Sequence, residues 1–143
     1  MTPVHDGVYA IAKPDEQLLT LQAAKEFVVL LAPTGEPGEQ DWEVSGVANG
    51  NVVIKNLRHD SYIGLDGPAE VNQQARGTVE PFEWELRQAA QRFAFHIVVP
   101  GGPVEGRELA LDLSVLDIFP QRTALRPLEA YDQAQAWLFQ FRE

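Results

Sequence analysis

The chain has 143 residues, 45% of them hydrophobic, which is enough for one domain with a buried core (residues 1–143) and short for two. Its formal net charge is −10, from 21 acidic residues against 11 Lys and Arg, so repulsion disfavours nucleic acids and anionic membranes as partners. It has no cysteine, which excludes disulfides, thiolate metal sites and a cysteine nucleophile.

Short strand signals follow one another along the chain, separated by Gly, Pro, Asn and Asp. The predicted strands of the first third are VYAIA, LLTL, FVVLLA and DWEV. Those of the second are NVVIKNL, SYIGLD, RGTVE and FEWEL, and those of the last are RFAFHIVV, ELALDL, RTALRPL and AWLFQF. Helical periodicity is scarce, and we interpret the start of LEAYDQAQAWL as loop. The sequence therefore predicts an all-β protein with three groups of four strands.

The three tryptophans occupy similar local frames, QDWEV, FEWEL and QAWLF. Trp42 and Trp84 are 42 residues apart, and Trp84 and Trp137 are 53 apart. A period near forty with four strands per period indicates internal symmetry. Three units are too few for an ordinary propeller, so we predict a β-trefoil with repeats at about 7–46, 50–88 and 92–143. The indoles are then expected to be core side chains.

Apolar pairs in the same register should open the three units: Tyr9/Ile11, Val52/Ile54 and Phe93/Phe95. His96 follows Phe95, and alternation along the strand predicts that its side chain points outward.

The opening residues, MTPVHDGVYA, lack a basic segment followed by an apolar one, and FVVLLA is too short to cross a membrane. We therefore expect a cytoplasmic protein, or one released without a signal peptide, with no membrane partner.

Two of the tryptophan frames match the Gln-x-Trp signature of ricin-B-type trefoil lectins, at Gln40–Trp42 and Gln135–Trp137, whereas Phe82 replaces the Gln in the second unit. The stretches GVYAI, VVLLAP, WEV and NVVIKN also resemble the small trefoil protease inhibitors of mushrooms, which include mycocypins, cospin-like inhibitors and cocaprins. Length, acidity and the lack of cysteine are most similar to cocaprins. This resemblance implies reversible inhibition of papain-like cysteine and pepsin-like aspartic proteases, and a possible homodimer.

The loop expected to enter a cysteine protease consists of Gln22, Ala23, Ala24, Lys25 and Glu26. It joins two apolar strands, its two alanines make a narrow tip, and the resemblance implies this same loop. Lys25 leaves a trypsin-type serine protease open as a target. Near pH 3 most carboxylates are protonated, so the charge of the chain becomes positive and would favour an anionic aspartic protease. A second inhibitory loop could be Pro100, Gly101, Gly102 and Pro103, or lie between Pro127 and Gln135.

Catalysis is not indicated, because the histidines His5, His59 and His96 are scattered and no serine lies in a nucleophile frame. We expect no metal and no cofactor. The alternative is a lectin, which needs an Asp, an aromatic platform and an amide or His in one unit. Asp60, Tyr62 and Asn72 could supply them in the second unit, whereas Asp15 in the first has no nearby aromatic residue.

Overall fold

A computed structural model describes residues 4–129 and 131–142; residues 1–3, 130 and 143 of the predicted domain lie outside the described residues. All twelve predicted strands are present. They are β1 (Gly7–Ala12), β2 (Leu18–Thr20), β3 (Val29–Leu31), β4 (Trp42–Gly46), β5 (Val52–Asn56), β6 (Tyr62–Gly64), β7 (Arg76–Thr78), β8 (Glu85–Gln88), β9 (Ala94–Val98), β10 (Leu109–Leu113), β11 (Gln121–Pro127) and β12 (Trp137–Arg142). Two 3₁₀ turns, Ala48–Gly50 and Gln133–Gln135, complete the described regular structure. No helix in the described ranges is long and apolar enough to cross a bilayer.

Six strands close into a barrel. β1 pairs with β4 and β12, β4 with β5, and β9 with β8 and β12. The remaining junction, between β5 and β8, is made by a bridge between Val52 and Trp84. The other six strands form three hairpins, β2–β3, β6–β7 and β10–β11. A six-stranded barrel capped by three hairpins is the predicted β-trefoil.

The three tryptophans occupy equivalent places in the core. Each indole has no exposed surface, and each donates its Nε1–H to a backbone carbonyl of the second strand of its own unit. The acceptors are Leu19, Ile63 and Leu111, at 3.0, 2.9 and 2.9 Å. A buried indole needs such a partner, because an unpaired N–H in an apolar core is costly. The prediction that the tryptophans form the core is therefore confirmed.

The hairpins meet around the pseudo-threefold axis through a cyclic set of backbone hydrogen bonds. The N–H of Val28 donates to the carbonyl of Ala75, that of Ala75 to Thr123, and that of Thr123 back to Val28, at 3.0, 3.2 and 3.2 Å. All three residues are buried. This ring satisfies groups that no strand ladder reaches, and it fixes the three hairpin loops relative to one another.

The predicted register of the first strand of the third unit was wrong by two residues. Tyr9 pairs with Trp42, Val52 bridges Trp84, and Phe95 pairs with Trp137, so Phe95 is the equivalent of Tyr9 and Val52. Phe93 instead precedes the strand and is 57% exposed. The turn after β8 is one residue longer than its counterpart, since five residues separate the paired Gly46 and Val52, whereas six separate Gln88 and Phe95. Equal spacing would have placed Ala94, between the two phenylalanines, at this position.

His96 is buried rather than exposed on an outward face, with 3% of its surface accessible. Its strand, β9, pairs with β8, β10 and β12, and all five of its residues are buried. Alternation predicts exposure only where one face of a strand meets water, and this strand has no such face.

Candidate functional site

The loop of residues 22–26 is exposed along its whole length and is held from below by the second unit. The Arg76 guanidinium donates from Nε and Nη2 to the Lys25 carbonyl, at 3.2 and 2.8 Å. The N–H of Gly77 donates to the Glu26 carbonyl at 2.9 Å. A Cβ on Gly77 would lie 2.2 Å from the Ala24 carbonyl oxygen. Only glycine therefore permits this close contact between the loop and β7.

Phe27 anchors the end of this loop. Two guanidinium groups contact its ring, with the Cζ of Arg122 at 4.3 Å and that of Arg76 at 5.0 Å from the ring centroid. Arg122 also donates to the Gln74 side chain at 3.1 Å. These contacts connect the first loop to the other two units and leave the side chains of Ala23 and Ala24 exposed.

The second predicted loop forms a glycine turn. Gly101 and Gly102 have φ values of 96° and 94°, a left-handed backbone that glycine adopts without steric cost. Gly101, Gly102 and Pro103 are exposed, and a bridge between Val104 and Arg107 closes the loop behind them.

The residues predicted for a sugar site in the second unit are not all brought together. Asp60 and Tyr62 both contact Lys55. The Nζ of Lys55 is 3.0 Å from the Asp60 carboxylate and 6.0 Å from the Tyr62 ring centroid. Asn72 instead contacts the third unit, where its side chain accepts from Arg126 and its N–H donates to Leu125. The predicted trio therefore supplies a carboxylate and an aromatic ring, while its amide is engaged by another unit.

The indole hydrogen bonds identify which positions of the three units correspond. The residues that follow the indole acceptors are Thr20, Gly64 and Asp112. Thr20 accepts from the Gln40 side chain at 3.0 Å, and Asp112 accepts from the Gln135 side chain at 3.2 Å. Phe82 packs on Trp84 in the second unit, with ring centroids 4.7 Å apart. Only the third unit thus places a carboxylate at this position.

The glutamines of the Gln-x-Trp frames hold the loops that precede the last strand of each unit. Gln40 accepts from the N–H of Thr34 and donates to the carbonyl of Ala32. Gln135 accepts from the N–H of Glu129 and donates to the carbonyl of Pro127, at 2.8 and 2.9 Å. Both side chains are buried, so their role is to fix a loop.

Asp112 is the carboxylate of a half-exposed polar cluster at the end of β10. Its Oδ1 accepts from the N–H of Leu113 at 2.7 Å, and its Oδ2 accepts from Gln135. The adjoining loop carries Tyr131, which is 98% exposed, and Asp132, whose Oδ1 accepts from the N–H of Ala134 at 2.9 Å. Each Asp112 oxygen keeps a lone pair for a further donor.

Lys13 lies beneath this cluster and adds a buried cation. Its Nζ donates to the carbonyls of Ala134 and Ala136, at 2.6 and 3.1 Å, and lies 4.0 Å from the centroid of the Trp137 ring. Burial lowers the pKa of Lys13 to about 8, although the carboxylates of Asp112, Asp132 and Asp15 partly oppose this shift. Asp15, which has no aromatic residue near it in sequence, therefore acts here on the charge of Lys13.

Asp112 was not among the predicted site residues, although the repeat itself distinguishes it. Aligning LLTL, YIGL and LALDL on their indole acceptors places Thr20, Gly64 and Asp112 in one column. No group of three or more His, Asp or Glu side chains able to hold a metal occurs in the described part of the chain.

The chain matches no protein-family model and no curated protein. Among solved structures it is similar to a ricin B-like lectin of Macrolepiota procera in complex with lactose, at 23% identity and a TM-score of 0.78 over 99% of this chain and 100% of that one. It is also similar to the Rhizoctonia solani agglutinin, at 17% identity and a TM-score of 0.79 over 99% of each chain. A designed threefold-symmetric protein, ThreeFoil, gives 11% identity and a TM-score of 0.77 over 96% of this chain and 100% of that one. These similarities show the β-trefoil fold.

Proposed function

We propose that this protein binds carbohydrate through its third unit. The proposal rests on the hydrogen bond between Gln135 and Asp112, which orients a half-exposed carboxylate at a position where the other two units carry Thr20 and Gly64. A carboxylate held by two donors within the protein can still accept two sugar hydroxyls, and such charge-assisted bonds are among the strongest available to a neutral ligand.

Tyr131 is proposed to supply the stacking surface. Its ring is almost fully exposed, and aromatic rings pack against the apolar C–H face of a pyranose. The loop that carries it is fixed on both sides, because the N–H of Asp132 donates to the carbonyl of Glu129 and the N–H of Glu129 donates to Gln135. A fixed loop loses less entropy when a ligand binds.

Two full-length structural neighbours named as a lectin and an agglutinin support this proposal over the others, since one of them holds lactose in the same overall fold. Whether this chain takes lactose or another sugar depends on its own loop residues.

Calorimetric titration of the protein with lactose, alongside a glycan array, tests this proposal. We expect binding to at least one glycan class, and a loss of tenfold or more on Asp112→Asn, which removes the charge and keeps the shape. Asp117→Asn is the matched control, because that exposed carboxylate lies in the same unit at the hairpin loop. An array without signal, or equal affinity in the Asp112 and Asp117 variants, would refute it.

Protease inhibition is the second candidate, favoured by the two hydrogen bonds from Arg76 to the Lys25 carbonyl. Proteases accept extended segments in a cleft, and a loop held by its own backbone binds with little loss of entropy. The proposed partners are papain-like cysteine proteases, whose cleft would accept residues 22–26. A trypsin-type serine protease that binds Lys25 is an alternative target of the same loop. The proposed contact for pepsin-like aspartic proteases is the loop Pro100, Gly101, Gly102 and Pro103.

An inhibition panel of papain, pepsin and trypsin tests this candidate. Ala24→Trp should abolish inhibition of papain, because a bulky side chain no longer enters the cleft, and should leave inhibition of pepsin unchanged. Papain inhibition that survives Ala24→Trp, or is absent in the wild type, removes residues 22–26 from consideration.

A further inference from the structure

A groove of about 810 Å³ lies along the seam where β12 closes the barrel against β1. We call it the seam groove. Its walls include Tyr9, Phe93, Phe139 and Phe141, and its rim carries Asp6 and Gln140. Its volume falls in the range typical of small-molecule sites, which combine an apolar surface with a few polar groups. Asp112 and Gln135 are not part of it.

Phe141 forms an aromatic platform in this groove. A Cβ on Gly7 would lie 2.8 Å from Cε1 of Phe141, so the ring rests directly on the Gly7 backbone. Tyr9 meets it edge-on, with ring centroids 5.5 Å apart. The side chain nevertheless remains 61% exposed. The ring is therefore fixed by contacts beneath and beside it while presenting much of its surface to solvent.

Phe93 occupies a backbone position that is poorly suited to it. It has a φ of 65°, and the strand register equates it with Gly7 and Gly50, the latter at a φ of 80°. A bulky residue in the left-handed region is a conformational outlier, and such outliers concentrate at functional sites. Because Phe93 is 57% exposed, burial in the core does not explain an aromatic side chain at this position.

The rim offers hydrogen-bonding groups of both kinds. Asp6 accepts from the N–H of Gly46 through Oδ1 at 2.9 Å, which fixes its carboxylate at the groove. The Arg92 guanidinium lies 5.1 Å from the Phe93 ring centroid and can donate, and the exposed Gln140 amide can do both. A ligand with hydroxyls along its edge could form hydrogen bonds with these groups. A pyranose fits this description, because it has an apolar face and a rim of hydroxyls.

We propose that the seam groove binds a pyranose ring, so that the protein carries a second glycan site outside its repeated units. The ligand class rests on the proposed carbohydrate function, while the site itself stands on its own geometry. Two sites on one chain would bridge two glycans, which raises avidity on a glycan-bearing surface without new contacts.

Amide chemical shifts of ¹⁵N-labelled protein test this proposal, with lactose, methyl α-mannoside and chitobiose as probes at millimolar concentration. We expect at least one sugar to shift the amides of Phe93, Gln140 and Phe141, with unchanged affinity in the Asp112→Asn variant. Phe93→Gly and Gln140→Ala should each weaken this response by tenfold or more. Phe119→Ser, an 89% exposed phenylalanine on another loop, is the control and should have no effect.

The proposals for the two sites can be refuted independently of each other. Seam shifts that persist in Asp112→Asn support the seam groove whatever happens at Asp112, whereas binding lost only in Asp112→Asn overturns it. Seam amides that respond to none of the three sugars also overturn it. A groove that responds to none of the sugars but binds anilinonaphthalene sulfonate, a dye that reports exposed apolar surface, overturns it as well.

Discussion

Gly77→Ala should detach the loop of residues 22–26 from the second unit. The new Cβ would lie 2.2 Å from the Ala24 carbonyl oxygen, whereas real Cβ contacts are essentially never shorter than 3.0 Å, so loop and strand must separate by about 0.8 Å. The backbone itself accepts alanine, because the φ of Gly77 is not positive in the described chain. The effect is therefore steric.

The separation weakens the hydrogen bonds from Gly77 to Glu26 and from Arg76 to Lys25, each worth about 1 kcal/mol. We expect the free energy of unfolding to fall by about 2 kcal/mol in urea denaturation, with faster hydrogen exchange at the amide of residue 77, which donates to the Glu26 carbonyl. Inhibition of papain, where present, should weaken as well. Val79→Ala, two residues on and 70% exposed, should change stability by less than about 0.5 kcal/mol. An unchanged urea midpoint together with unchanged exchange at the amide of residue 77 in the Gly77 variant would show that the contact does not hold the loop.

Three further predictions concern the core, the buried lysine and the strained phenylalanine. Trp42→Phe should cost about 2–4 kcal/mol in urea unfolding, because it leaves a cavity and an unpaired Leu19 carbonyl, and a cost below about 1 kcal/mol would contradict the role of the indole bond. Lys13 has a folded pKa of about 8 against about 10.5 unfolded, so the unfolded chain binds more protons between these values. Wild-type stability should therefore rise by about 3 kcal/mol from pH 8 to 10.5 relative to Lys13→Met, and parallel pH profiles would refute this. Phe93→Gly should change stability by less than about 1 kcal/mol, since relief of the left-handed backbone offsets the lost ring contacts, whereas Phe95→Gly in the core should cost 3 kcal/mol or more.

The fold was predictable because the repeat is expressed in the core residues themselves. Each Trp needs the same volume and the same carbonyl partner, so selection for a symmetric barrel leaves three similar frames in the sequence. The register of the third unit was not predictable in this way. The turn after β8 is one residue longer than its counterpart after β4, and a residue count alone cannot show which of two nearby phenylalanines enters the barrel.

The candidate sites were predictable only in part, because they depend on contacts between units. The position of residues 22–26 between two strands followed from the pattern, but the support from Arg76 and Gly77 comes from another unit 51 residues away in sequence. Asn72 was predicted to join a sugar site within the second unit, but its side chain accepts from Arg126 of the third, a contact between units that sequence spacing does not show. The seam groove joins the first and last strands of the barrel, so no local sequence window contains it.

The central proposal, that Asp112 forms a sugar site in the third unit, is tested most directly by a glycan array probed with the wild-type protein and with Asp112→Asn side by side. Signal from the wild type on a defined glycan class, lost in the variant while the fold is retained by circular dichroism, is the predicted result. A wild-type protein that binds no glycan, or a variant that binds the same glycans equally well, would contradict it.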